Sequence, residues 1–171
     1  MASSNPSRPR PNALAWLLLS VVVIVLDQIS KGFALAHLEP YQPQPVIDGF
    51  LNWMLAFNPG AAFSFLADSG GWQRWFFSGL AIVVSAVLVF WLARTARRDW
   101  RNAMPLALIL GGAIGNVIDR IRLGHVVDFI DVYVGQYHWP AFNIADSAIC
   151  VGAVGLIAFS LFAGKAQPAR R

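Results

Sequence analysis

Charged residues and cysteine are scarce in this chain of 171 residues. Charged side chains make up 13% and hydrophobic ones 57%. Because an average soluble domain is about 25% charged, this composition excludes an ordinary soluble domain and favours a membrane protein. Cys150 is the single cysteine and lies in an apolar run, which excludes an internal disulfide and a cysteine-based metal site. We expect it to be a small buried side chain.

Four long apolar segments predict four transmembrane helices. They cover residues 13–38, 75–92, 103–118 and 144–163. A helix needs about 20 residues to cross the hydrocarbon core of a bilayer. The third segment therefore spans the membrane only if Asp119 and Arg120 lie at the interface. The predicted fold is an all-α membrane protein, a single integral membrane domain at 13–164 between polar tails at 1–12 and 165–171.

The two longer connections, residues 39–74 and 119–143, look ordered. Residues 50–57 are rich in aromatic side chains and end at the turn signal Asn58-Pro59-Gly60. Residues 125–134 are rich in Val, Ile, Phe and Tyr between turn residues, which predicts a strand. We therefore expect a small extracytoplasmic β-sheet and loop subdomain resting on the four helices.

The first apolar segment has an alternative interpretation as a cleaved secretory signal peptide. Arg8 and Arg10 would form its basic start, and Ala34-Leu35-Ala36 resembles a cleavage site. However, Asp27 and Lys31 place two charges between the apolar run and that site. This favours a first helix that is retained.

The basic residues predict the orientation of the helices. A net charge of +4 would suit nucleic-acid binding, but the cations lie at the ends of apolar segments, which fits an anionic membrane surface instead. Nine of the 13 Lys and Arg fall on one side of a four-span arrangement: Arg8, Arg10, Arg94, Arg97, Arg98, Arg101, Lys165, Arg170 and Arg171. By the positive-inside rule both termini are cytoplasmic, and the connections 39–74 and 119–143 face the opposite side.

Polar residues collect at the outer ends of the predicted helices. Every acidic residue except Asp99 lies at one end of the apolar segments or in the outer connections. Asp27 lies about 21 Å along the first helix at 1.5 Å per residue. Asn116, Asp119 and Arg120 end the third helix, and Asp146 opens the fourth. Charges at a membrane edge are costly unless they have a function, so this convergence predicts a site on one side.

Asp128 and Asp146 are the candidates for catalysis, with Asn143 nearby. Two carboxylates held close together share a proton, so one can activate water while the other protonates a substrate carbonyl. The simpler alternative is that each caps a helix or forms an ion pair. Asp146, for example, could accept bonds from the first-turn N–H groups of the fourth helix.

Several other polar and small residues have structural interpretations. Asp27 and Lys31 are four apart and suit an ion pair on one helix face, and Asp119 and Arg120 could pair at the interface. Gly111 and Gly115 have the spacing that lets membrane helices approach closely. A zinc site on Asp128 with His37, His125 and His138 is an alternative, but no pair of these histidines has helical metal-ligand spacing.

Four segments together resemble the lipoprotein signal peptidases, the type II signal peptidases of bacteria. They are Asp27-Gln28-Ile29-Ser30-Lys31, then Asn58-Pro59-Gly60-Ala61-Ala62-Phe63, then Gly112-Ala113-Ile114-Gly115-Asn116-Val117-Ile118-Asp119-Arg120, and finally Val126-Val127-Asp128-Phe129 with Phe142-Asn143-Ile144-Ala145-Asp146-Ser147. Each segment alone is weak. All four in order, across nearly the whole chain, are highly specific.

The resemblance implies an aspartyl endopeptidase of the bacterial inner membrane, without cofactor or metal, working near the periplasmic face. Its substrates would be prolipoproteins carrying a diacylglyceryl group on the cysteine and cut just before that cysteine, and membrane lipid would be a further partner. The resemblance assigns the catalytic pair to Asp128 and Asp146. The residues that orient the pair or hold substrate would be Asp27, Asn58, Asn116, Arg120 and Asn143. It leaves Asp131 unassigned and implies inhibition by globomycin.

Other classes of function make different predictions. A proton-coupled transporter would use intramembrane carboxylates, but such proteins carry internal repeats and polar residues near the midplane, and this chain has neither pattern. A membrane assembly factor would use the acidic face for docking, without chemistry. A metalloprotease would be inactivated by a chelator.

Overall fold

The computed structural model describes residues 12–60 and 71–163. A short 3₁₀ helix, Ala13–Trp16, leads into α1 (Leu17–His37), and α2 (Trp72–Arg94), α3 (Trp100–Leu123) and α4 (Ile144–Ala163) follow. Parts of the sequence predictions fall outside the described residues: the tails up to 11 and from 164, and the motif residues Ala61, Ala62 and Phe63.

All four helices are long and apolar enough to cross a membrane, which confirms the predicted fold class. They are not equivalent, because 67% of the apolar window of α3 is buried against 17–22% in the other three. The third helix is therefore the centre of the bundle. It also runs beyond the apolar segment 103–118 at both ends. The large exposed apolar side chains of the outer helices present the surface that lipid requires.

Glycines on α3 allow the close packing of its neighbours. A Cβ on Gly111 would lie 2.8 Å from the backbone oxygen of Ser20 in α1, and one on Gly112 would lie 2.3 Å from that of Ala145 in α4. A Cβ on Gly115 would lie 2.7 Å from Oδ2 of Asp27. The close approach expected from the spacing of Gly111 and Gly115 is therefore present.

Side chains and glycine define the helix ends. The carboxylate of Asp99 accepts a bond from the backbone N–H of Asn102 and so caps α3, which ends at Gly124 with a φ of 88°. At the start of α4 the backbone N–H of Asp146 donates to Oδ1 of Asn143 at 2.9 Å. The cap of α4 is thus Asn143, and the carboxylate of Asp146 bonds back to the backbone N–H of Asn143, so both side chains take part in capping the start of this helix.

A four-stranded antiparallel sheet covers one end of the bundle, as predicted. Its strands are β1 (Gln44–Ile47), β2 (Leu51–Asn58), β3 (Val126–Val134) and β4 (Tyr137–His138), in that spatial order. β2 and β3 pair through Asn52↔Asp131 and Ala56↔Asp128, with an irregularity in register between Trp53 and Ala56. Both strands belong to connections that leave the same end of the bundle, called here the sheet end.

An apolar cluster fastens the sheet to the helices. Ala34 of α1 packs with Leu55 of β2 and with Val127 and Phe129 of β3, and all four are buried. Because successive strand residues point to opposite faces, this packing fixes which face of β3 is turned towards Ala34. Asp128, between Val127 and Phe129, then faces the other way.

Candidate active site

Asp128 and Asp146 line the same cavity at the sheet end. The cavity has a volume of about 940 Å³ and is otherwise mostly apolar, with Met54, Phe57 and Phe142 among its lining residues. Asp128 is 2% exposed, whereas Asp146 is half-buried. This size suits a ligand as large as a drug molecule.

Asn143 contacts both carboxylate residues. Its Nδ2 donates to Oδ1 of Asp128 at 2.6 Å and to the backbone oxygen of Val127 at 3.2 Å. Its Oδ1 accepts from the backbone N–H of Asp146. This side chain is completely buried, so one amide fixes the strand that carries Asp128 relative to the helix that carries Asp146.

Asn116 of α3 holds the carboxylate of Asp146. Its Nδ2 donates to Oδ1 of Asp146 at 2.7 Å. Its Oδ1 accepts from Nζ of Lys31 at 2.9 Å and from Nδ2 of Asn143 at 3.3 Å. Each carboxylate of the pair therefore receives an N–H bond from a different asparagine.

Lys31 determines which way the amide of Asn116 points. Its ammonium group lies 2.8 Å from Oδ2 of Asp27 and 2.8 Å from Oδ2 of Asp119, in addition to its bond to Asn116, and it is 2% exposed. An ammonium group only donates, so the oxygen of Asn116 must face Lys31 and its NH₂ group must face Asp146. The ion pair expected between Asp27 and Lys31 is thus confirmed.

Asp27 and Asp119 connect this cation to the helices and the sheet. Oδ1 of Asp27 accepts from the backbone N–H of Ala145 at the start of α4, at 2.9 Å. Oδ2 of Asp119 accepts from the backbone N–H of Val127 at 3.1 Å. Asp119 therefore contacts Lys31 and β3 directly. Its ion pair is with Lys31, and not with its neighbour Arg120 as expected.

The guanidinium group of Arg120 binds backbone oxygens. Its NH2 group donates to Gly60 at 2.8 Å and its NH1 group to Asn116 at 3.4 Å, and the side chain is 8% exposed. Asn58 accepts from the backbone N–H of Gly60 and also hydrogen-bonds the side chain of Asp128. The turn after β2 is thereby tied both to α3 and to the carboxylate pair.

Electrostatics favour a proton on the pair. Burial, and then the negative charge of Asp146, raise the pKa of Asp128 to about 7 from an ordinary value of 3.8, against the opposing bonds from Asn143 and Asn58 and the charge of Lys31. A carboxyl group with this pKa is about half protonated at neutral pH. One acid and one carboxylate can thus coexist in the cavity.

The histidines lie elsewhere, with other partners. His37 bonds the backbone oxygen of Phe33, His125 packs on Phe57, and His138 bonds Asp131. Within residues 12–60 and 71–163, no three His, Cys, Asp or Glu side chains gather as a metal ion would require.

The sequence identified most of this site and missed part of it. Asp27, Asn58, Asn116, Arg120, Asn143, Asp128 and Asp146 are all brought together at the sheet end. The central position of Lys31 and the contact of Asp119 with the strand were not anticipated, although the spacing of Asp27 and Lys31 was a signal for the first. The prediction for Cys150 was wrong: it is exposed and lines the cavity.

The fold and the site together define a multi-pass membrane protein with a carboxylate centre enclosed under a small sheet. Two solved structures, each titled a bacterial membrane enzyme structure by the in meso method, have this fold. One, at 2.3 Å resolution, has a TM-score of 0.80 and 29% identity and covers 96% of this chain and 99% of its own. The other, at 1.9 Å resolution, has a TM-score of 0.76 and 31% identity, and the match covers 94% of this chain and 100% of the chain in that structure.

The particular family follows from the sequence comparisons. A family model described as signal peptidase (SPase) II matches residues 19–162. A lipoprotein signal peptidase of Xanthomonas campestris pv. campestris (strain 8004) is 65% identical over 158 residues, 92% of this chain and 95% of that protein. A lipoprotein signal peptidase of Xylella fastidiosa (strain M12) is 60% identical over 163 residues, which are 95% of this chain and 98% of that protein. The chain belongs to the signal peptidase II family and is a membrane peptidase.

Proposed function

We propose that this protein is an aspartyl endopeptidase that removes signal peptides from diacylglyceryl-modified bacterial prolipoproteins, cutting just before the lipidated cysteine. The name of its relatives, lipoprotein signal peptidase, supports the substrate class. The observation that carries the catalytic assignment is the carboxylate pair in one cavity, each member held by an asparagine N–H.

The proposed reaction uses the single proton of the pair. The ionised carboxylate takes a proton from water while the water oxygen attacks the peptide carbonyl carbon, and the carboxylic acid protonates the carbonyl oxygen. In the second step one hydroxyl of the gem-diol returns its proton to the pair. The pair protonates the leaving nitrogen as the C–N bond breaks, and ends singly protonated again. No metal or covalent intermediate takes part.

The neighbours of the pair would then have distinct roles. Asn143 and Asn58 hold the carboxyl group of Asp128, and Asn116 holds that of Asp146. Asp27 keeps the start of α4 in place through its bond to Ala145. Since their bonds hold the two carboxyl groups or the start of the helix that carries Asp146, these residues act mainly by positioning. Arg120 fixes the turn at Gly60 and adds positive charge near the pair, which favours a negatively charged transition state.

Membrane placement fits such a substrate. The basic residues of the α2–α3 connection support cytoplasmic termini in the bacterial inner membrane, and the sheet end would then lie at the periplasmic face. A cysteine anchored by two acyl chains places the scissile bond at the membrane surface. The apolar lining of the cavity would accept the signal helix and acyl chains from the surrounding lipid, and we expect the cyclic peptide antibiotic globomycin to inhibit the enzyme.

The test of this substrate is cleavage in detergent of one prolipoprotein in two matched forms, with and without the diacylglyceryl group. Mass spectrometry of the products should give a mature chain beginning at the lipidated cysteine. The unmodified form should be cut much more slowly, because it lacks the apolar contacts that hold the bond in place. Equal cleavage of the two forms, or a cut at another bond, would contradict the proposal.

A further inference from the structure

A second buried carboxylate lies on the same strand as Asp128 and takes no part in the site above. Asp131 is 0% exposed. Its Oδ2 accepts from Nδ2 of Asn52 at 2.8 Å, and Nδ1 of His138 lies 2.8 Å from its Oδ1 and 3.0 Å from its Oδ2. A carboxylate only accepts, so Nδ1 of His138 is the donor. The cluster therefore joins β2, β3 and β4.

The position of Asp131 excludes a direct part in the chemistry. It is three residues from Asp128, so its side chain points to the opposite face of β3. Burying a carboxylate is costly unless hydrogen bonds compensate for the lost water. Here the compensation comes from two other strands, which means that the buried charge holds these strands in register.

His138 is followed directly by one wall of the cavity. Residues 139–142, called here the outer wall, all line the cavity. The backbone N–H of Trp139 donates to Val132 at 2.8 Å, and Phe142 exchanges two backbone bonds with Ile130, at 2.9 and 3.1 Å. The first end of the wall thus depends on β4, a strand of two residues, which is too short to be stable through its backbone alone.

We infer that Asn52, Asp131 and His138 form a positioning site that holds the outer wall against the cavity and so sets the affinity for the lipidated substrate. The inference rests on the proposed function for the identity of that substrate. His138 also stacks on Tyr133, with ring centroids 5.1 Å apart, so the imidazole is held from two sides. The carboxylate pair is untouched by this cluster, and its chemistry should proceed at the same rate once substrate is bound.

Replacing His138 by Leu tests the inference, because Leu has a similar size and lacks the N–H donor. About tenfold higher KM and a kcat within about twofold of wild type are expected, since the lost bond is to a charged group and acts on binding. His138→Asn places an amide N–H near the position of Nδ1 and should restore most of the affinity. His37→Leu is the matched control and should leave KM unchanged, because among the described residues His37 bonds Phe33 in its own helix turn.

Binding of a fluorescent diacylglyceryl lipopeptide to the same variants gives a second readout that does not need cleavage. Tenfold weaker binding by His138→Leu supports the inference even if the peptide is not cut. In that case the proposed catalysis is contradicted, and the positioning role of His138 still stands. An unchanged KM and Kd, a loss confined to kcat, or no recovery with His138→Asn would overturn the inference while leaving the proposed cleavage standing.

Discussion

Replacing Asp128 by Asn should stop cleavage and, above neutral pH, make the protein more stable. Burial and the charge of Asp146 raise the pKa of this carboxyl group from 3.8 to about 7. Its ionised form is therefore less stable in the folded protein than in the unfolded chain. An amide has the same shape without the charge, so the substitution removes this cost.

The size and pH range of the effect follow from the two pKa values. Between pH 3.8 and about 7 the folded protein holds a proton that the unfolded chain has lost, so stability from this group is present below that range and decreases as the pH rises through it. At 1.36 kcal/mol per pKa unit the cost reaches about 4 kcal/mol above pH 7. This is an upper bound, because an amide offers Asn143 and Asn58 only one acceptor oxygen. We expect the substitution to raise the free energy of unfolding by about half of this bound, which corresponds to a Tm about 4–8 °C higher for a chain of this size.

The assay is thermal unfolding in detergent, followed by tryptophan fluorescence at pH 5, 7 and 8.5. The advantage of Asp128→Asn at pH 5 should be about a third of its full value, because pH 5 lies about a third of the way between the two pKa values, and it should be nearly complete at pH 7 and complete at pH 8.5. Asp48→Asn, which changes an exposed carboxylate in the β1–β2 turn, is the control and should show no such trend. An Asp128→Asn variant that is less stable than wild type at pH 8.5, or equally shifted at every pH, would refute the electrostatic reasoning.

Three further predictions concern the proton, the buried cation and the helix contacts. The cleavage rate should fall as the pH rises from about 7 to 9, because the pair loses its proton with the pKa of Asp128, and a flat profile would count against the dyad. Lys31→Met should lower the free energy of unfolding by about 3–5 kcal/mol and abolish cleavage, because it leaves buried carboxylates without their cation. Adding Asp27→Asn to this variant should recover part of the lost Tm, and no recovery would contradict the pairing of Lys31 with Asp27. Gly112→Ala should lower both the Tm and the cleavage rate, because its Cβ would lie 2.3 Å from the backbone oxygen of Ala145. Gly79→Ala is the control, because a Cβ there faces open space and should leave the Tm unchanged or slightly higher.

The sequence predicts the helices well because apolar runs are local signals, but it does not predict their arrangement. The least apolar helix, α3, is the most buried, and the more apolar α1, α2 and α4 are exposed. In a membrane, lipid already satisfies apolar side chains, and the polar ones gather inside. For the same reason, the apolar surroundings of Cys150 led to the wrong prediction that it is buried.

The site residues could be found from motifs, whereas their bonds could not. Asn143 and Asp146 are both good capping residues, three positions apart, and only the actual start of α4 decides that Asn143 is the cap. The bond between Lys31 and Asn116 joins residues 85 positions apart. No local pattern reports such a contact, so the orientation of the two asparagine amides became visible only in the fold.

The most direct test of the central claim is cleavage of a diacylglyceryl-modified prolipoprotein by wild type, Asp128→Asn and Asp146→Asn, with Asp48→Asn as control and each with and without EDTA. The account predicts that wild type and Asp48→Asn cleave the substrate at the same rate as each other, and that EDTA does not change this rate. The two site variants should be folded and should not cleave the substrate. Cleavage by either site variant at the wild-type rate, or loss of wild-type cleavage in EDTA, would contradict an aspartyl mechanism.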